Sequence, residues 1–226
     1  MPERNSVWLR PAKPTRNPPA LDRDQIVATA VALLDEEAVS GLTMRKLAAR
    51  LDAAPMTLYG YVATKDDLLE LAVDAVFAEA LAADPATDDW RAALTAIGHR
   101  TFQALVRHPW AAALVGDNPP LGPAAVAQFG TILRVLTAAG FTGGRLDSAL
   151  TGFYYYVLGA ALAESPWARA GRAASSFTAA DISRLTSADG QDVAPVTAYF
   201  DRYPNIDPVQ RFGHGLRAVL NGLDPA

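Results

Sequence analysis

The side chains best suited to chemistry lie between Gly41 and Lys65, in the stretch Gly-Leu-Thr-Met-Arg-Lys-Leu-Ala-Ala-Arg-Leu-Asp-Ala-Ala-Pro-Met-Thr-Leu-Tyr-Gly-Tyr-Val-Ala-Thr-Lys. Leu58 and Val62, four residues apart, turn inward on a helix expected from Met56 to Val62. That leaves Pro55, Met56, Thr57, Tyr59, Gly60 and Tyr61 on the open side or at the tip, where a helix lying in the major groove of DNA presents its reading side chains. A shorter helix must precede it. Thr43 can cap that helix, whose apolar face is Met44, Leu47, Ala48 and Leu51. Asp52-Ala53-Ala54 breaks the pattern, and Pro55, a residue suited to the first helical position, restarts it.

Other chemistries find little support. The chain of 226 residues has no cysteine, which excludes disulfides, thiolate metal sites and cysteine nucleophiles. His99 and His108 lack a paired histidine or an HExxH-like helix, so they read as structural or exposed and no metal or cofactor is expected. No GxSxG, P-loop or strand-linked GxGxxG occurs, which argues against an enzyme. An all-α small-molecule-binding protein, or an enzyme acting on an apolar substrate, remains the alternative reading. There is no secretory signal and no apolar run of about eighteen residues. The longest candidate, Leu150 to Ala163, contains Thr151 and three tyrosines. The expected location is the cytoplasm, with no membrane partner.

The net charge of −4 opposes a DNA partner at first sight, because phosphate binding is driven by cations and counterion release. Its distribution permits one. Residues 1–66 hold nine Lys/Arg against eight Asp/Glu, a balance of +1, and the remainder holds eleven against sixteen, a balance of −5. A modestly charged DNA-binding unit on an acidic body fits these numbers.

The elements that must position these residues can be followed along the chain. Residues 1–20 form a Pro-rich basic arm with Arg4, Arg10, Lys13 and Arg16, whose apolar knot Val7-Trp8-Leu9 suggests docking on the body. Residues 21–67 contain a first helix capped near Asp22 and ending around Val39-Ser40-Gly41, then the two angled helices. Thr64-Lys65-Asp66-Asp67 resembles a capping box opening a fourth helix, apolar over much of its girth and therefore buried. Further helices are expected from Trp90 to His108, Trp110 to Val115, and Ala124 to Ala138. The third of these has an apolar face of Val126, Phe129, Ile132, Leu133 and Leu136. A nearly all-apolar helix follows from Arg145 to Glu164, then a long connection over residues 165–191. Helices over Val193 to Phe200 and from Pro208 to Leu223 close the chain, Gly213 and Gly215 permitting close approach. No polar–apolar alternation marks a strand. The fold class is all-α, with an N-terminal three-helix DNA-binding domain containing a helix-turn-helix and a larger helical ligand-binding and dimerisation domain over residues 68–226.

With these residues in order, the first 70 or so resemble the DNA-binding domain of the TetR family of bacterial repressors. The match runs through Leu21-Asp22, Ala32-Leu33-Leu34, Gly41 to Ala48, Leu58-Tyr59, Val62, Lys65 and Leu68-Leu69. The remainder is more loosely similar to the tetracycline-repressor type of C-terminal domain. The resemblance implies that Thr43 and Arg45 meet phosphate and a base edge. It also makes Pro55, Met56, Thr57, Gly60 and Tyr61 the reading surface, with Tyr59 and Lys65 on phosphates. The chemistry is compatible: Arg45 can pair bidentately with guanine, Pro55 and Thr57 can meet a thymine methyl, and Lys65 joins a positive helix N-terminus. Asp52 departs from the usual glycine of such turns, and Gly60 from a large side chain.

The resemblance further implies a homodimer on a palindromic double-stranded operator, paired through the eighth and last helices. A small-molecule effector would move the fourth helix as a lever. Tetracycline-binding members hold magnesium through polar residues and histidines. The matching positions here are Ile97, Thr101 and Val115, so magnesium-bound tetracycline is not expected. Ile97, Phe102, Trp110, Phe129, Leu133, Tyr154 and Tyr155 are instead expected to line a cavity for an apolar or aromatic molecule.

Overall fold

The computed structural model describes residues 6–9, 21–81, 87–117, 119–169, 184, 194–202 and 207–225. A 3-10 turn at Val7–Leu9 is followed by α1 (Arg23–Gly41), α2 (Met44–Arg50), α3 (Pro55–Leu58), α4 (Lys65–Ala80) and α5 (Trp90–Arg107). Then come α6 (Pro109–Asp117), α7 (Pro123–Ala138), α8 (Gly143–Arg169), α9 (Ala194–Arg202) and α10 (Pro208–Asn221). No strand occurs among the described residues, and the all-α expectation holds.

Short polar side chains start the helices by accepting from backbone amides that lack intrahelical partners. Asp22 accepts from Asp24 N, Thr43 from Lys46 N and Asp207 from Gln210 N. At α4 the arrangement is reciprocal: Thr64 Oγ1 accepts from Asp67 N at 3.0 Å, and the Asp67 carboxylate accepts from Ala63 N at 3.2 Å.

Three expectations need correction, and α1 holds a kink. Helix α3 stops at Leu58, four residues before Val62, because Gly60 N bonds Thr57 O and Tyr61 N bonds Leu58 O, the tighter spacing in which a helix closes. Within α1, Ala38 at φ 58°, ψ −176° interrupts the helix in a region that only glycine enters without strain. Helix α8 runs on through Pro166 to Arg169, into what reads as connection. The rest of that connection, like most of the N-terminal arm, lies outside the described residues. Finally, α7 turns a different face inward: Ala124, Ala125, Gln128, Ile132 and Leu136 are buried, whereas Val126 and Phe129 are exposed.

The buried side chains form one continuous cluster from Leu21 to Leu220. Helix α4 passes through its middle and packs against α1, α5, α6 and α7. The Val7-Trp8-Leu9 knot is docked on it, since Ser6 Oγ and Val7 N both donate to Glu70, the latter at 3.1 Å. Buried Asp74 of α4 accepts from Ala124 N and Ala125 N at 3.3 and 3.0 Å and so caps α7 from outside. At the other end, α5, α8 and α10 approach closely because Gly98 has no side chain. A Cβ there would lie 2.8 Å from Leu216 Cδ2. Phe212 stacks on Phe102 with ring centroids 4.1 Å apart.

Two stability changes follow, both measurable by chemical denaturation at fixed protomer concentration. Ala38→Gly relieves the left-handed strain and should stabilise the chain by about 1 kcal/mol. Asp74→Ala strands two buried amides and should destabilise it by about 1–3 kcal/mol.

Candidate functional site

The helix-turn-helix is built on α1. Arg50 donates to Glu36, at 2.8 Å through Nη1, and Lys46 pairs with Glu37. The Arg50 hydrogen bond holds the Glu36 carboxyl below its ordinary value. Leu47 and Ala48 are fully buried beneath these pairs. Asp52 makes the turn at φ 49°, the left-handed conformation that Asp accepts more readily than most residues. Helix α3 is then anchored by Leu58 at 0% exposure, while Pro55, Met56, Thr57 and Tyr59 stand in the open, Met56 at 77%.

This geometry separates the cations of α2. Lys46 and Arg50 are engaged with α1, whereas Arg45 is exposed and pairs with no described carboxylate. Arg45 and the open side of α3 therefore form one surface of exposed side chains. Thr43 is also exposed, its hydroxyl accepting from Lys46 N at 3.2 Å. Gly60 is exposed just past the end of α3.

Two expected members are engaged elsewhere. The Tyr61 hydroxyl donates to Leu21 O at 2.8 Å, which ties the turn after α3 to the residue before α1 and turns that group away from the open surface. Lys65 Nζ donates to Val39 O at 2.8 Å, so it fastens the head of α4 to the end of α1, one residue beyond the strained Ala38.

The expected effector residues do not converge as one set. Phe129 and Tyr155 are exposed at 47% and 68%, on the outer sides of α7 and α8. Trp110 is fully buried, but its indole N–H donates to Asp35 Oδ1 at 2.7 Å, linking α6 to α1. Ile97 and Phe102 are core, and Leu133 is half-buried. Tyr154 keeps the assigned character best: its hydroxyl is buried and has no hydrogen-bond partner. Burial, reinforced by neighbouring Tyr155, raises its pKa and keeps it a neutral donor. The sequence reading missed Gln128, whose Nε2 donates to Thr101 Oγ1 at 3.1 Å in the interior between α5 and α7. Its signal was a lone amide four residues from both Ala124 and Ile132.

Among the described residues no group of His, Asp or Glu could hold a metal ion, and no helix is long and apolar enough to cross a membrane.

Comparison with known proteins identifies the family. Residues 26–72 match the family model for bacterial regulatory proteins of the tetR family, and residues 82–225 match the tetracyclin repressor-like C-terminal domain. An HTH-type transcriptional regulator of Saccharopolyspora erythraea is 42% identical over 186 residues, covering 81% of this chain and 78% of the relative. The HTH-type transcriptional repressor DrrR1 of Streptomyces coeruleorubidus is 33% identical over 224 residues, covering 96% and 83%. Among solved structures, Streptomyces coelicolor ActR in complex with actinorhodin shares the fold, with a TM-score of 0.74 and 24% identity over 90% of this chain and 96% of that one. With both family models matched along most of the chain and relatives that are transcriptional regulators, the chain belongs to the TetR family of transcriptional regulators.

Proposed function

We propose that the protein is a homodimeric repressor that binds a palindromic operator and is released by an apolar or aromatic small molecule. The observation that carries the DNA part is the contrast on α2. Arg45 is left free beside the open face of α3, while Lys46 and Arg50 are engaged with α1. Arg45 supplies the bidentate contact to a guanine edge, Pro55, Met56 and Thr57 supply apolar and hydroxyl contacts, and Thr43 and Tyr59 meet phosphates. Lys65 retains donors beyond the one on Val39 O and sits at the positive end of α4.

The pattern of α8 supports a two-fold dimer. Ala149, Phe153, Val157 and Ala161 are buried in the chain's own core, while Thr151, Tyr155, Gly159 and Ala163 line the opposite, exposed face at the same spacing of four. Small residues on an exposed helix face let a second helix approach closely, and α10 packs beside α8 to complete half of a four-helix bundle. Two recognition helices would then meet successive major grooves about 34–36 Å apart. For the effector, the orphan Tyr154 hydroxyl favours a molecule that carries a hydrogen-bond acceptor on an apolar body. DNA as partner sets the cytoplasm as its place of action.

Footprinting near the protein's own gene should reveal a palindromic site, and Arg45→Ala should weaken binding about tenfold or more, the worth of one bidentate base contact. Unchanged affinity in that variant would remove Arg45 from the interface. Gly159→Arg should halve the mass in sedimentation and abolish operator binding; a dimer that survives it refutes pairing through α8.

A further inference from the structure

One cluster of ionisable side chains lies outside both sites, where α1, α4 and the α5–α6 corner meet. His108 is only 8% exposed and carries a carboxylate on each side. Nδ1 lies 2.8 Å from Asp35 Oδ1 on α1, and Nε2 lies 3.1 Å from Glu79 Oε1 on α4. The charged groups facing the ring are thus Asp35, Glu79 and, through Glu79, Arg107 of α5, whose Nη2 donates to Glu79 Oε2 at 2.8 Å. Helix α6 offers the neutral Trp110 indole, which donates to the same Asp35 oxygen. Only a ring with two N–H groups can donate to both carboxylates, because neutral imidazole would point a lone pair at one of them. His108 is also the C-cap of α5, where the helix dipole favours a positive charge.

The two helices that His108 joins are not fully packed together. A groove of about 700 Å³ runs between α1 and α4, with Asp35 and Glu79 on its wall and Trp8 among its lining. Apolar contact does not fill this space, so at this end of the α1–α4 contact the imidazole bridge supplements the buried packing and the Lys65–Val39 bond.

The geometry points to His108 as a proton-dependent clasp that holds the DNA-binding unit to α4 and the effector domain, making operator affinity depend on pH. Protonated, His108 bridges Asp35 and Glu79. Without one of the two ring protons, one N–H bond is replaced by lone-pair repulsion and the His108 end of the α1–α4 contact loosens. At the acid end the clasp opens when either carboxylate, Asp35 or Glu79, takes up a proton. Burial opposes the Glu79 charge, but the Arg107 hydrogen bond and the His108 charge hold its carboxyl below the ordinary value, which pushes that edge to lower pH. The link to operator affinity rests on the DNA reading above, while the clasp does not.

The test uses the full chain and exploits its lack of cysteine. Spin labels at Met56→Cys and Thr137→Cys, with labelled chains diluted into unlabelled, report the distance from α3 to α7. The distribution should be narrow at pH 6 and broad at pH 8.5, and broad at both in H108Q and D35N. In parallel, affinity for a duplex selected from random sequence should fall about tenfold over that range in the parent, the worth of one charge-assisted bond, and stay flat in both variants. A parent distribution that ignores pH, or variants that respond as the parent does, overturns the clasp whether or not DNA binds. A normal clasp in a protein that binds no duplex would count against the DNA reading instead.

Discussion

Helix α4 is held on most of its sides, with open space only along the groove it shares with α1. Leu68, Ala72, Val76 and Phe77 are buried among α1, α5, α6 and α7, and even its polar Asp67 and Asp74 are buried and hydrogen-bonded to backbone amides. Close-packed interiors shift between discrete arrangements rather than deforming smoothly. A displacement of α4 therefore cannot be absorbed locally. It must appear at Lys65, which bonds the end of α1, and at Asp74, which holds the start of α7. One buried helix makes the helix-turn-helix and the interior around α7 parts of one mechanical body.

Much of this was legible because it is local. Caps at Asp22, Thr43, Thr64 and Asp207 sit where short polar side chains precede apolar periodicity, and the burial of Leu47, Leu58 and Val62 follows from spacing alone. The helix-turn-helix that contains Arg45 is equally local, and the family model spans it over residues 26–72. What was not legible depends on contacts made across long stretches of chain. The Tyr61 hydroxyl meets a carbonyl 40 residues earlier, Lys65 one 26 residues earlier, and His108 a carboxylate 73 residues earlier. No periodicity encodes such partners.

The face of α7 shows a second limit. Judged by size, Val126 and Phe129 belong inside. The neighbouring helices instead come close enough to accept only Ala124 and Ala125, and Gln128 is admitted because Thr101 satisfies its amide. Hydrophobicity ranks candidates, but the room left by neighbours decides among them. Pro166 within α8 makes the same point for the backbone, where a helix breaker read in isolation lies inside a longer helix.

The ion pairs that fix α2 to α1 have a consequence for how this protein's DNA binding should be read. Glu36–Arg50 and Glu37–Lys46 lie at the surface, with side chains between about a third and just over a half exposed, so dissolved salt screens them as it screens phosphate contacts. Raising ionic strength then acts twice, strengthening the competition of salt cations for DNA phosphates and loosening the seat of the helix that carries Arg45. The slope of affinity against salt, commonly read as a count of neutralised phosphates, would here include an intramolecular share and overstate the number of contacts made to DNA.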